Sequence, residues 1–387
     1  MNKMAYFDWT ATSKPTDRVI DKVNHALTEE WGNPSSVHGY GIGASRLVEE
    51  ARRSVLKGFG FGRPSTGRVI FTSGGTEANN LALLGAAYAK GKRGKILISE
   101  GEHASVETCA EQLEKDGFEV IRIPTKMGVL DIDAIRDVKG DISVASFMLV
   151  NNETGALYDI AAAAKAVRAV SPSAFIHTDA VQGFMKVRFT PERLGVNAVT
   201  ISGHKIGGLK GVGALYVDKD SLKQKKIVPR MLGGGQEDSL RSGTENVPGI
   251  VSLGEATAEA LETFADREQK TENLRRVLIE KLGETELVIN LPENGALGIL
   301  SVTVPGVKSE TVLNFMNERS FCISAGSACS SHGHGVSKAL VGFGVDPAAA
   351  DSTVRISLSH LNTEDEVLSL AENLAEAVKL TGLRRHL

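Results

Sequence analysis

From residue 16 to about residue 250 the chain alternates two hydrophobic patterns. One has apolar residues every three or four positions, as an amphipathic helix does. The other is a short apolar run between polar or glycine residues, which is typical of a buried strand. Strands joined by helices in this way predict one large, mainly parallel sheet. The seven predicted strands are 68–71, 95–99, 119–123, 142–150, 174–177, 198–202 and 213–217.

The first helix is predicted to begin after Thr16, whose hydroxyl can cap it. It ends before the turn that starts at Gly32, and a second helix is predicted over residues 43–59. Helical spacing places five apolar residues of the first helix on one face, and we expect that face to be buried. They are Val19, Ile20, Val23, Ala26 and Leu27.

The pattern changes after about residue 255. It predicts one long helix over 253–282, strands at 300–304 and 354–358, and a last helix over 363–380. We therefore predict an α/β fold with two parts: a large domain over 16–255 with the seven-stranded sheet, and a smaller α+β domain formed by 1–15 and 256–387.

Composition narrows the function classes. The 387 residues carry a net charge of −3, so the chain as a whole has no excess positive charge to attract nucleic acid or an anionic membrane. No apolar run approaches the length of a membrane span, and the first residues lack the pattern of a signal peptide. Three cysteines are too few for a disulfide framework and suit a reducing compartment. We expect a cytoplasmic protein.

Polar residues follow almost every predicted strand, where open α/β sheets bind ligands. Lys205 follows strand 198–202, and a lysine there can form a Schiff base with an aldehyde cofactor once its amine is unprotonated. Asp179 follows strand 174–177, where a carboxylate can hold a protonated pyridine nitrogen. Alone, Lys205 could be a solvated surface charge and Asp179 a helix cap.

A glycine-rich turn joins strand 68–71 to an alanine-rich helix. Its Gly75 and Thr76 can present backbone amides and a hydroxyl to a phosphate, or Thr76 can simply cap the helix. The turn is not a Walker motif, because the Gly-Lys-Ser/Thr ending is absent. His103 follows another strand and could stack on a planar cofactor or move a proton. Asn152, in the turn 151–155, could bind a cofactor hydroxyl or a carboxylate.

Cys329 lies in a run of small and polar residues, so we expect its thiol to be accessible and able to act as a nucleophile. Cys322 has apolar neighbours and is predicted to be a core residue, and Cys109 to lie in a helix. The nearby pair His332 and His334 adds too few ligands for a closed zinc site, so no metal site is predicted.

Arg355 interrupts an apolar strand. Its planar guanidinium suits a bidentate contact with a substrate carboxylate, and the alternative is a structural ion pair.

Together these motifs resemble the NifS/IscS-like cysteine desulfurases, which depend on pyridoxal 5'-phosphate (PLP) and belong to the fold-type-I aminotransferase superfamily. The resemblance extends along essentially the whole chain. The motifs that carry it are 6–8 with 11–12, 32–38, 71–80, 102–103, 151–155, 177–182, 202–205, 241–246, 326–329 and Arg355.

The resemblance implies a role for each matching residue. Lys205 would form the Schiff base, Asp179 would pair with the pyridine nitrogen, and His103 would stack on the ring. Arg355 and Asn152 would bind the substrate's α-carboxylate. The remaining cofactor contacts would be Gln182 to the ring hydroxyl, Gly75, Thr76, Ser202 and His204 to the phosphate, and Thr244 to the phosphate of the neighbouring subunit in a homodimer.

The reaction implied by the resemblance converts L-cysteine to L-alanine and leaves the sulfur on Cys329 as a persulfide. A sulfur-acceptor protein, such as an iron–sulfur scaffold, would receive it for cluster or thio-cofactor biosynthesis. Selenocysteine lyase, cystine C–S lyase and transaminase activities remain open on the same scaffold. A binding protein without activity is disfavoured because Lys205 and Asp179 are both present, and a nucleotide-binding protein is the remaining alternative.

Overall fold

The computed structural model describes residues 4–60, 66–91, 94–326 and 337–379. Strands alternate with helices in the first two thirds of the chain, as the hydrophobic pattern predicts. The strands of the described residues are β1 (Ala5–Tyr6), β2 (Arg68–Thr72), β3 (Lys95–Ser99), β4 (Val120–Ile123), β5 (Thr125–Lys126), β6 (Val129–Leu130), β7 (Ile142–Ser146), β8 (Phe175–Asp179), β9 (Ala198–Ser202), β10 (Gly213–Val217), β11 (Val288–Asn290), β12 (Ile299–Thr303), β13 (Phe321–Cys322), β14 (Ser324–Ala325) and β15 (Thr353–Ser357).

Most of the longer helices pack on the faces of the sheets or on one another. The helices of the described residues are α1 (Asp17–Thr28), α2 (Gly39–Phe59), α3 (Gly75–Lys90), α4 (Ala104–Lys115), α5 (Ile132–Arg136), α6 (Ile160–Val170), α7 (Pro191–Leu194), α8 (Lys219–Lys223), α9 (Val247–Glu262), α10 (Phe264–Gly283), α11 (Ser309–Glu318), α12 (Lys338–Phe343), α13 (Pro347–Ala350) and α14 (Glu364–Ala377). Short 3-10 turns cover Gly203–Lys205 and Glu237–Ser239.

The large sheet has seven strands in the order β2-β10-β9-β8-β7-β3-β4. All pairs are parallel except the two that β10 makes, with β9 and with β2. The sequence prediction of seven strands in a mainly parallel sheet is therefore confirmed. Every residue of β7 to β10 is buried, because helices cover both faces of the sheet. The carboxyl ends of β2, β3, β7, β8 and β9 meet at one edge.

A smaller antiparallel sheet follows, with the order β11-β12-β15-β14. The two strands predicted here, 300–304 and 354–358, lie within one residue of β12 and β15. The last helix begins with a capping box between Thr363 and Glu366. The boundary placed at residue 255 stays a prediction.

The prediction of a single helix over 253–282 is wrong. The segment belongs to two helices, α9 and α10, which meet at Thr263. The Thr263 hydroxyl donates to the carbonyl of Glu259, and its backbone leaves the helical region. A hydroxyl that bonds the preceding turn often accompanies a bend, and the hydrophobic period alone does not reveal it.

The cap of α1 is confirmed, because the Thr16 hydroxyl accepts from the backbone nitrogen of Val19. The predicted buried face is only partly right. Val19, Val23 and Ala26 are buried, whereas Ile20 and Leu27 are exposed. Val19 and Val23 pack with Ala256 of α9, so the contact stripe is narrower than the sequence predicts. No helix of the described residues is long and apolar enough to cross a bilayer.

Candidate active site

A cavity of about 740 Å³ lies at the edge of the large sheet where the parallel strands end. Most of the residues that sequence analysis singled out line it, although they come from distant parts of the chain. They are Gly75, Thr76, His103, Asn152, Asp179, Gln182, Ser202, His204, Lys205 and Arg355. Thr244 does not line this cavity and is exposed. Cys329 lies outside the described residues.

Lys205 ends the short 3-10 turn that follows β9. Its amine donates to the carbonyls of Thr10 at 2.8 Å and Ala11 at 2.9 Å. The amino-terminal segment therefore holds the lysine at the cavity wall. Next to it, burial and then the charge of Lys205 lower the pKa of His204 to about 4. His204 is therefore neutral at physiological pH and can offer a hydrogen bond without a charge.

Asp179 ends β8 and is buried. Its Oδ1 accepts from the backbone nitrogen of Val181 at 2.9 Å, which closes the turn after the strand. Its Oδ2 accepts from the Nδ2 of Asn79 at 2.7 Å. Asn79 projects from α3 and is also buried. The carboxylate is thus held on both oxygens.

The same Asn79 nitrogen connects Asp179 to His103. It donates to the Oγ of Ser105 at 2.8 Å, and that oxygen lies 2.9 Å from the Nδ1 of His103. The backbone nitrogen of Ser105 also donates to Nδ1, at 3.1 Å. Because an amide nitrogen can only donate, the Ser105 hydroxyl proton is left for Nδ1. In the form of His103 with a single ring proton, this network therefore places that proton on Nε2.

Arg355 lies on β15 and is buried. Its Nη2 donates to the Oδ1 of Asp8 at 3.0 Å, and its Nη1 donates to the carbonyl of Asn152 at 3.0 Å. Its Nε is buried and has no hydrogen-bond partner among the described residues. The ion pair weighed from the sequence is present, and the guanidinium keeps N–H groups that can donate to a ligand.

Helix α3 begins at the cavity with Gly75 and Thr76. The residue that caps it is Gly74, and no side chain of the described residues bonds the amides of its first turn. The alternative in which Thr76 caps the helix is therefore wrong. Free amides at the start of a 16-residue helix favour an anion.

Glu102 also lines the cavity. Its Oε1 accepts from the Oγ of Ser99 at 2.5 Å and from the backbone nitrogen of Met148 at 2.8 Å, while its buried Oε2 has no partner among the described residues. Burial raises the pKa of Glu102 to about 8. The acid is therefore mostly protonated at neutral pH.

A profile of the family described as Aminotransferase class-V matches residues 5–370. The chain belongs to the class-V aminotransferase family.

Individual members of the family are similar to this chain over nearly its whole length. The protein named cysteine desulfurase IscS 1 of Archaeoglobus fulgidus is 35% identical over 381 residues, which is 97% of each chain. A solved structure titled NifS-like protein has a TM-score of 0.88 at 33% identity and covers 97% of this chain and 100% of its own. A structure titled SspA in complex with cysteine has a TM-score of 0.80 at 29% identity, over 92% of this chain and 99% of its own.

The class-V aminotransferase family depends on PLP. The residues of the cavity fit this cofactor. An amine faces the cavity for an aldehyde, a carboxylate held on both oxygens is available for a pyridine nitrogen, and the start of α3 is available for a phosphate. The guanidinium of Arg355, which lines the cavity, fits an additional carboxylate.

Two cysteines lie within the described residues, and neither is well placed for chemistry in the cavity. Cys109 is buried in α4, where burial raises the pKa of its thiol to about 11. Cys322 is partly exposed in β13, so the prediction of a core residue is wrong. Among the described residues no group of three or more His, Cys, Asp or Glu side chains is arranged to hold a metal ion.

Sequence reasoning missed the residues that hold the site in place. Asp8, Asn79 and Glu102 lie inside the motifs quoted above, but their neighbours in space could not be read from the sequence. Ser105 and Lys186 gave no signal. The sequence identified Gln182 itself but not the two contacts that hold it. Its Nε2 donates to the carbonyl of Thr10 at 3.0 Å, and its Oε1 accepts from the Nζ of Lys186 at 3.2 Å.

Proposed function

We propose that this class-V aminotransferase family member is a PLP-dependent cysteine desulfurase. It would convert L-cysteine to L-alanine and transfer the sulfur to Cys329 as a persulfide. The observation that carries the proposal is a single cavity lined by Lys205, Asp179, His103 and Arg355. The relative named cysteine desulfurase IscS 1 and the solved relative bound to cysteine support this reaction and substrate.

Residues of the cavity would bind each part of the cofactor. Lys205 would supply the amine that takes the aldehyde carbon, Asp179 would pair with the ring nitrogen, and Gln182 would donate to the ring hydroxyl. When bound, PLP withdraws electrons from the substrate's Cα and so weakens the bond between Cβ and sulfur. The phosphate would lie against Gly75, Thr76, Ser202 and His204, with Thr244 reaching the phosphate of a second subunit.

The substrate carboxylate would bind the guanidinium of Arg355 and the side chain of Asn152. Asp8 and the Asn152 carbonyl hold the guanidinium, so the arginine is oriented before the substrate arrives. His103 would lie on the ring and present Nε2 with its proton, because Ser105 and Asn79 hold Nδ1 as an acceptor. It would therefore begin as a hydrogen-bond donor at Nε2.

Cys329 would complete the reaction as the sulfur acceptor. Its thiolate attacks the sulfur of the bound cysteine, the bond between Cβ and sulfur breaks, and a sulfur–sulfur bond forms. Cβ takes up a proton, so one cysteine and one thiol give one alanine and one persulfide. The raised pKa values of the Cys109 and Cys322 thiols favour the third cysteine for this role.

The proposal includes a homodimer, because Thr244 is exposed and lies away from its own cavity. It also includes a cytoplasmic setting and a sulfur-acceptor protein, such as an iron–sulfur scaffold.

The experiment is a turnover assay on purified protein loaded with PLP. Wild type should convert L-cysteine to L-alanine, and Cys329→Ala should not. Free sulfide with full alanine production by Cys329→Ala would favour a lyase instead.

A further inference from the structure

Lys186 is a buried amine that the proposed reaction does not use. It follows β8 by seven residues and lines a second cavity of about 130 Å³, which lies behind Lys205. Thr10, Gln182 and Lys205 line both this cavity and the one described above, so they form the wall between the two. The amine of Lys186 donates to the Oε1 of Gln182 at 3.2 Å.

The charged groups around Lys186 do not neutralise it. The charged and titratable residues that share its cavity are Lys14, Lys205, Glu259, Arg267, Glu268 and His360. Glu259 is paired with Arg267 at 2.9 Å and Glu268 with Arg188 at 3.0 Å. No carboxylate of the described residues forms an ion pair with Lys186. Burial, together with the nearby charges of Lys205 and Arg355, lowers the pKa of Lys186 to about 7.

Burying an amine without a paired carboxylate costs free energy, so the hydrogen bond that Lys186 makes to Gln182 is informative. In its ammonium form Lys186 can only donate, and it then holds the oxygen of the Gln182 amide on its own side. The amide nitrogen then points to Thr10, whose carbonyl accepts from it at 3.0 Å. A flipped amide would place its nitrogen against the Lys186 amine and its oxygen against that carbonyl. Both contacts would be repulsive.

The amide nitrogen of Gln182 has two N–H groups, and Thr10 takes one of them. The other is free for a ligand in the cavity that Gln182 shares with Lys205.

We propose that Lys186 is a positioning residue that fixes the Gln182 amide toward the ring oxygen of the cofactor and, in its ammonium form, favours the anionic form of this oxygen. The inference rests on the proposed function, because the ring oxygen belongs to PLP. It deepens that function by naming a residue that acts on the cofactor through another side chain.

The test compares three variants with wild type. Lys186→Met removes the charge and keeps the length, Lys186→Arg keeps a charge, and Lys165→Met changes an exposed lysine on α6 as a matched control. PLP is the probe. Its affinity is measured by equilibrium titration, and the absorbance of the bound cofactor is followed against pH without substrate.

We expect Lys186→Met to weaken PLP binding about tenfold and to raise the midpoint of the absorbance change by about one pH unit, because a nearby cation favours proton release. Lys186→Arg and Lys165→Met should keep the wild-type midpoint. A second measurement places Lys186→Met in a Gln182→Leu background, where its effect on affinity should disappear if Lys186 acts through Gln182.

The inference would be overturned if Lys186→Met kept the wild-type affinity for PLP and the wild-type midpoint of the absorbance change. It would also be overturned if Lys186→Met weakened PLP binding as much in the Gln182→Leu background as in wild type. If Lys186→Met does not fold, Lys186→Gln replaces it, with the same expectations. Failure of wild type to bind PLP or to form alanine would instead contradict the proposed function, so the two failures are distinguishable.

Discussion

Arg355 and Asp8 form an ion pair at 3.0 Å in which the arginine side chain is only 3% exposed. The pair joins the amino-terminal segment to β15 of the small sheet, and the buried Nε of Arg355 has no hydrogen-bond partner among the described residues. The site therefore depends on contacts between residues that lie more than 300 positions apart in the sequence.

Replacing Arg355 with Met should raise KM for L-cysteine about 100-fold or more. The variant loses a charge-assisted, partly buried contact with the substrate carboxylate, worth about 3 kcal/mol. Steady-state kinetics with L-cysteine measure the change, and Lys308→Met, at an exposed position, serves as the control. A KM within twofold of wild type would show that the carboxylate binds elsewhere.

Replacing Asn79 with Leu should weaken PLP binding about tenfold, because Asp179 loses a hydrogen bond that a charged acceptor makes worth about 1.5 kcal/mol. Equilibrium titration with PLP measures the change. The control is Asn273→Leu, at an exposed asparagine of α10. Equal affinities for both variants would mean that Asn79 does not support the cofactor site.

The sequence predicted which strands form and where the polar residues gather, because both follow from local patterns. Parallel strands joined by helices have their carboxyl ends at one edge, so Lys205, Asp179 and His103 could be expected close together. The observed cavity confirms that expectation for their positions. Their chemical roles remain proposals.

Local patterns could not reveal which residues support those side chains. Asn79 contacts Asp179 across 100 positions, and Asp8 contacts Arg355 across 347. Such contacts depend on how helices pack on the sheet. The same reason explains the error at Ile20 and Leu27: helical period defines an apolar face, but the neighbouring helix decides how much of that face is covered.

Stability should depend on Lys186 and on pH. The folded protein holds the pKa of Lys186 at about 7, whereas an unfolded lysine titrates near pH 10.4. Between these values the unfolded chain binds the extra proton, so the contribution of Lys186 to stability rises with pH, by at most about 1.4 kcal/mol per unit. The free energy of unfolding of the PLP-free protein in urea, measured at pH 7 and pH 9, should rise more for wild type than for Lys186→Met. Equal changes in the two proteins would contradict the burial of this amine.

Glu237→Gln should destabilise the protein by about 3 kcal/mol. Glu237 and Arg52 form a buried ion pair at 2.7 Å, and the same carboxylate accepts from the backbone nitrogen of Phe71 at 2.9 Å. The variant leaves the buried arginine charge with only the exposed carboxylate of Glu49, which lies 2.9 Å from its Nε. Urea unfolding of the PLP-free protein measures the loss, with Asp133→Asn at an exposed ion pair as the control. A loss as small as that of the control would show that the buried charge is compensated otherwise.

The central claim is that Lys205 and Cys329 carry out two halves of one reaction, and mass spectrometry of PLP-loaded protein treated with L-cysteine tests it most directly. The account predicts a mass increase of one sulfur atom, located by peptide mapping at Cys329, in wild type. It predicts no such increase in Lys205→Ala or in Cys329→Ala. A persulfide on Cys109 or Cys322, or none in wild type that forms alanine, would contradict the account.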